Sequence, residues 1–259
     1  MKTLNRLGLT AAIVLPATIA MAGGSTTTTP KTNDVTGSIK GKIDFDGEVP
    51  KVKQLSVSPE QGKGCCAGSD ASDCIDSTDR TVLVDAGGGL ANVVVTVRSD
   101  VKPDPLGEPI KLDQSKCRFE PHVLVIPVGS SVSYLNSDGV SHNIHTYARK
   151  NAGLNKTVSK GKALSQTFDQ TETIKVTCDI HPWMTSYIFV TDSPKYAVTA
   201  ADGSFEIAGL APGTYEVDLW HESLGKSKSE VTIAADGSSA LMSAKLGAAA
   251  TSTKKKRRR

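Results

Sequence analysis

Helical periodicity is nearly missing from this chain of 259 residues: apolar positions seldom recur every three to four residues, whereas Gly, Thr and Ser are plentiful. That lack excludes a helix bundle and leaves an all-β reading. Aromatic residues are also few, at 5%, yet the length is enough for one or two domains with a real core. Long apolar runs are absent except near the start, where Lys2 and Arg6 precede Leu7 to Ala20 and the small residues Ala20-Met21-Ala22. The run is short for a membrane span and contains Pro16, so residues 1–22 are read as a secretory signal rather than an anchor. No Cys follows it, so no lipoprotein anchor is expected. The expected location is therefore outside the cytoplasm, in a periplasm or cell envelope.

The formal net charge of +3 is misleading. Without Lys2, Arg6 and the six basic residues from Lys254 to Arg259, 22 basic residues face 27 acidic ones, so the folded body is mildly acidic. No nucleic-acid partner is expected from such a body. The basic tail, residues 248–259, reads as solvated and disordered, and would contact anionic envelope components.

Between these ends the chain is punctuated. Residues 23–35 form a Ser/Thr-rich tether. Residues 36–118 form an N-terminal β region, with an alternating strand at 35–45, two further strands at 81–85 and 92–97, and an irregular Cys-bearing stretch from Pro50 to Thr81. An exported chain sits where disulfides persist. With Cys178 set aside for a metal, Cys65, Cys66, Cys74 and Cys117 remain, and a vicinal Cys65 to Cys66 bridge has the poorest geometry. Cys117 is expected to pair with Cys65 or Cys66; a second metal site on Cys65 and Cys66 is the weaker alternative, since no His lies near them.

Residues 119–192 carry the chemistry. Ile174, Val176 and Cys178 share one face of an alternating strand, and Tyr187-Ile188-Phe189-Val190 supplies a partner strand. Between them, Cys178-Asp179-Ile180-His181-Pro182-Trp183-Met184 places a thiolate, an imidazole and a thioether in one short loop, a ligand set that suits copper. A second imidazole is available from Ser141-His142-Asn143-Ile144-His145, after the strand 131–136 and the turn Ser137-Asp138-Gly139. His122 and His221 read as structural or surface residues, and residues 147–168 as a long polar surface excursion.

His-Asn-Ile-His upstream of Cys-x-x-His-x-x-Met resembles the cupredoxins, and the short loop is most similar to that of amicyanin; plastocyanin-like members have two more residues between the His and the Met. The resemblance implies a Greek-key β-sandwich holding one type 1 copper ion. His142, Cys178 and His181 would be its strong ligands, Met184 the long axial one, and Asn143 would pin the ligand loops together near the Cys178 sulfur. It implies single-electron transfer rather than an enzyme. The edge of His181 would lie near the surface inside an apolar patch, with Pro182 and Trp183 as neighbours, and a redox protein such as a cytochrome c or a dehydrogenase would dock there. Five His with no His-x-His pair cannot build a trinuclear oxidase cluster.

In residues 193–247, Asp202-Gly203 between alternating runs signals a hairpin. The order Asp-Gly, Phe205, Gly209-Leu210-Ala211-Pro212-Gly213 and Tyr215 resembles carboxypeptidase regulatory-like domains, implying a transthyretin-like β-sandwich. Its missing strands could come from residues 37–45 and 90–98, with the cupredoxin segment inserted, or the two could stand in tandem. The rival function is an envelope-binding or structural β-module, or a copper store, without electron transfer.

Overall fold

A computed structural model describes residues 35–57, 59–62, 64–65 and 75–247. The expected signal and basic tail, all but the last residue of the tether, and both Cys66 and Cys74 lie outside the described residues. The chain runs through β1 (Gly37–Phe45), one helical turn α1 (Pro59–Gly62) and β2 (Val94–Val97). It continues through β3 (Ile110–Ser115), β4 (Arg118–Glu120), β5 (Val123–Pro127), β6 (Ser131–Asn136), β7 (His142–Thr146), β8 (Leu154–Val158), β9 (Ala163–Thr167), β10 (Glu172–Thr177) and β11 (Thr185–Thr191). It ends with β12 (Tyr196–Val198), β13 (Ser204–Leu210), β14 (Gly213–His221), β15 (Gly225–Ile233) and β16 (Ala240–Leu246).

These strands form two sandwiches. In the first, a sheet ordered β4-β3-β6-β9 faces a sheet ordered β5-β11-β10-β7-β8. Between them lie Leu112, Phe119, Leu124, Ile126, Tyr134, Ile144, Phe168, Ile174, Val176 and Ile188, all 5% exposed or less. Each such side chain contributes about 1.5–3 kcal/mol through the apolar area it removes from water. In the second, the sheet β13-β1-β16 faces β12-β2-β14-β15 around Ile39, Ile43, Val95, Phe205, Val217, Leu219 and Ile233. Strands β1 and β2 thus pair with strands from residues 193–247, and β3 to β11 leave and re-enter this second sandwich between β2 and β12.

Strands β2 and β5 are buried along their whole length because both of their faces are covered. Leu124 and Ile126 point into the first core, while Val123 and Val125 meet Val94, Tyr187, Phe189 and Trp220 where the sandwiches touch. His122 and Glu222 form a buried pair at this seam. His221 is 1% exposed there, and among the described residues its Nε2 has no hydrogen-bond partner.

Three expectations need correction. The first sandwich begins at Ile110 rather than at residue 119, because Leu112 and Gln114 on β3 are fully buried and β3 pairs in parallel with β6. Residues 147–168 are not a bare excursion but contain β8 and β9, each paired to a neighbouring strand. Residues 81–85 form no strand and make only an isolated bridge between Val84 and Leu90.

Candidate metal centre

The ligand loop is closed by strand register. Thr177 on β10 pairs with Thr185 on β11, leaving residues 178–184 to turn across the end of the sandwich. Inside that turn the Met184 N–H donates to the His181 carbonyl (2.9 Å) and the Cys178 N–H to the Met184 carbonyl (3.3 Å). The inward parity of Ile174 and Val176 carries on to Cys178, which is 2% exposed and is free of any disulfide. Met184 is fully buried in the same core.

His142 opens β7 and is fully buried. It reaches the loop because β7 pairs with β10, with His145 opposite Thr177. Ring nitrogens of His142 and His181 and the Cys178 sulfur all lie within 4.8 Å of one another. Cys178 Sγ is 4.0 Å from His142 Nδ1 and 3.6 Å from His181 Nδ1, and the two Nδ1 atoms are 2.9 Å apart. His145 points to the other face: its Nδ1 meets Asp179 at 3.0 Å, and its ring stacks on Tyr147.

Asn143 ties the two ligand segments together. Its N–H donates to Cys178 Sγ (3.4 Å), its Oδ1 accepts from the Asp179 N–H (3.2 Å), and its Nδ2 donates to Asn155 Oδ1 (2.6 Å). Burial pushes the Cys178 thiol up, but hydrogen bonds with the His142 and His181 rings and from the Asn143 N–H outweigh it and bring it down to about 6. A thiolate, the form that binds metal, is thereby favoured at neutral pH.

Asp138 was not singled out by the sequence. It is 4% exposed, and its Oδ2 sits 2.7 Å from His142 Nε2. A carboxylate can only accept, so Nε2 donates; in the neutral ring Nδ1 is then bare and faces Cys178 and His181. Burial lowers the His142 pKa, while the Asp138 carboxylate and Cys178 raise it by more, so it ends above its ordinary value. The same carboxylate accepts the N–H groups of Lys116 (2.6 Å) and Cys117 (2.8 Å). Those residues turn β3 into β4 with φ of +53° and +51°, a left-handed pair that non-glycine residues adopt only when held. The sequence signal was its place four residues before His142, which acquires meaning only once the turn is folded.

Cys117 is bridged to Cys65. The bridge covers the end of the site: Cys117 Sγ is 3.9 Å from His142 Nε2, and Trp183 Nε1 donates to the Cys117 carbonyl (3.0 Å). His181 is 5% exposed, with the Trp183 ring against it and Pro182 exposed beside it. Ile180, at 48% exposure, is presented by the same loop.

The donor chemistry fits copper. One thiolate and two imidazoles converge, and the two sulfur to nitrogen separations match those of ligands about 2.0–2.3 Å from a common ion. Asn143 and Asp138 orient the donors without occupying the bare ring nitrogen of His142.

Residues 109–191 match the family described as copper binding proteins, plastocyanin/azurin family. No curated protein matches the chain at a significant level. Among solved structures, it is similar to a reduced mutant of amicyanin, at 28% identity over 38% of this chain and 98% of that one, with a TM-score of 0.31. A purple cupredoxin from Nitrosopumilus maritimus is similar at 24% identity over 31% of this chain and 98% of that one, with a TM-score of 0.28. A copper-containing nitrite reductase from Thermus scotoductus is similar at 24% identity over 37% of this chain, with a TM-score of 0.31; the match spans only 28% of the reductase.

Proposed function

We infer, from a cupredoxin domain at residues 109–191, that this protein holds one copper ion as a type 1 centre and carries single electrons between redox partners. The observation that carries the reading is the convergence of His142, Cys178 and His181 within 4.8 Å, in a buried pocket closed by the loop that bears Met184. Copper bound there would supply one-electron redox chemistry. The chain's own part is to hold the donors still. Cys178 and His181 belong to a loop pinned at both ends by the β10 and β11 pairing, and His142 is clamped by Asp138 and flanked by Asn143. Donors fixed in this way move little when the charge of the site changes, which favours transfer over binding and release. Burial and the Cys65–Cys117 cover exclude solvent, which suits an electron carrier better than a catalyst that must admit substrate.

The proposal includes export to a periplasm or envelope, and a partner such as a cytochrome c or dehydrogenase meeting the exposed Ile180 and Pro182 beside His181. The second sandwich, with its resemblance to carboxypeptidase regulatory-like domains, would serve as the scaffold. The test is to add cupric ion to the metal-free protein and record the visible spectrum, with Cys178→Ser alongside. An intense band near the red end, absent in the variant, supports the reading; a spectrum with no such band sinks it. Oxygen uptake with a reductant present would instead favour an oxidase.

A further inference from the structure

The Cys65–Cys117 bridge lies against the metal centre rather than in a remote loop. Its two sulfurs and a ring nitrogen of His181 all lie within 4.8 Å of one another, and Cys65 and Cys117 are 2% and 0% exposed. His181 therefore belongs to two groups at once, one with His142 and Cys178 and one with the bridge. In the oxidised bridge the sulfurs carry no charge and are poor ligands. As thiolates they would join His181 in a set of two soft sulfurs and one imidazole, which selects cuprous copper.

We propose that the Cys65–Cys117 bridge is a masked second metal site, which takes a cuprous ion on Cys65, Cys117 and His181 once a dithiol has reduced it. The step is balanced: the dithiol gives two electrons and two protons, the bridge becomes two thiols, and the dithiol becomes a disulfide. Metal binding then releases the two thiol protons.

The backbone on both sides is held without the bridge. Cys117 stays in place through its N–H to Asp138 and its carbonyl to Trp183. Cys65 donates its N–H to the Gly62 carbonyl (3.2 Å). The adjoining Gly64 packs so tightly on the turn before His142 that a Cβ there would stand 2.6 Å from Val140 Cγ1. The opened sulfurs therefore remain beside His181, and the two positions share that one imidazole.

The experiment uses the full chain with Cys66, Cys74 and Cys178 replaced by Ser, so that the bridge holds its only cysteine sulfurs. Cuprous ion is titrated anaerobically against a chromophoric chelator, before and after dithiothreitol treatment and desalting, and alkylation with mass spectrometry counts the thiols. The oxidised protein is expected to take no ion and the reduced protein one per chain. A further Cys117→Ser returns the reduced protein to the oxidised level. A bridge that the dithiol does not open overturns the proposal, as does a reduced protein that binds no more than the oxidised one. Should the multiple variant not fold by circular dichroism, the unaltered chain is reduced and alkylated with and without cuprous ion. Protection of Cys65 and Cys117 that disappears in His181→Ala supports the site, and equal alkylation overturns it. Because the main test lacks Cys178, its outcome is separate from that of the type 1 reading.

Discussion

Asp138 holds His142 at 2.7 Å through Nε2, and this contact decides which ring nitrogen is left for a ligand. Asp138→Ala is expected to weaken copper binding about 10–100-fold, as loss of a residue that orients a ligand does. The freed Lys116 and Cys117 N–H groups should each cost about 1–3 kcal/mol where they stay unsatisfied. Chelator competition and urea unfolding read the two effects, and an unchanged affinity would remove the orienting role.

Met184→Leu keeps volume in a fully buried position, so its stability cost should stay below about 1.5 kcal/mol. If Met184 is the weak axial donor, the variant still binds copper and keeps the visible band. Losing a donor should favour the cuprous state and raise the midpoint potential. Voltammetry checks this; a potential that does not move would argue that the thioether lies off the metal.

His221 titrates low. Burial pushes it down, the Glu222 carboxylate partly opposes and His122 adds to the lowering, leaving it at about 4. A folded-state value below the unfolded one means that the unfolded chain takes up the proton first. Stability should therefore fall as pH drops from about 6.5 to about 4, by up to about 3 kcal/mol. Urea midpoints at pH 7 and pH 5 measure the fall, and His221→Phe should flatten it.

Gly203 has φ of +81°, and a Cβ there would stand 2.4 Å from the Ile43 carbonyl oxygen and 2.8 Å from the Leu90 nitrogen. Neither backbone atom can rotate away, as a side-chain tip could. Gly203→Ala should cost about 2–4 kcal/mol, combining the left-handed penalty with displacement of β1. A lower urea midpoint at unchanged slope is the expected result.

What could be read beforehand follows from which signals are local. The alternation of Ser131 to Asn136 and of Thr173 to Cys178, and the Asp202-Gly203 turn, are each contained in a few residues, and an all-β chain followed from them. The Cys-x-x-His-x-x-Met spacing is local too. Strands β8 and β9 were missed because they lie at sheet edges with mostly exposed side chains, so no apolar face marks them. The start at Ile110 was missed because the β3 to β4 turn uses Lys116 and Cys117 instead of Gly, with Asp138 holding them from 22 and 21 residues away. The Cys65 sulfur lies within 4.8 Å of a His181 ring nitrogen, and no periodicity links residues so far apart.

Strand β2, where the chain leaves the second sandwich, lies beside β12, where it returns, with Thr96 opposite Tyr196. Departure and return are thus about 4.8 Å apart, the spacing of neighbouring strands. A domain fastened at two adjacent points cannot swivel like a bead on a string. The ligand loop faces one fixed direction relative to its host, so on the proposed reading a redox partner would have to fit the outline of both sandwiches together.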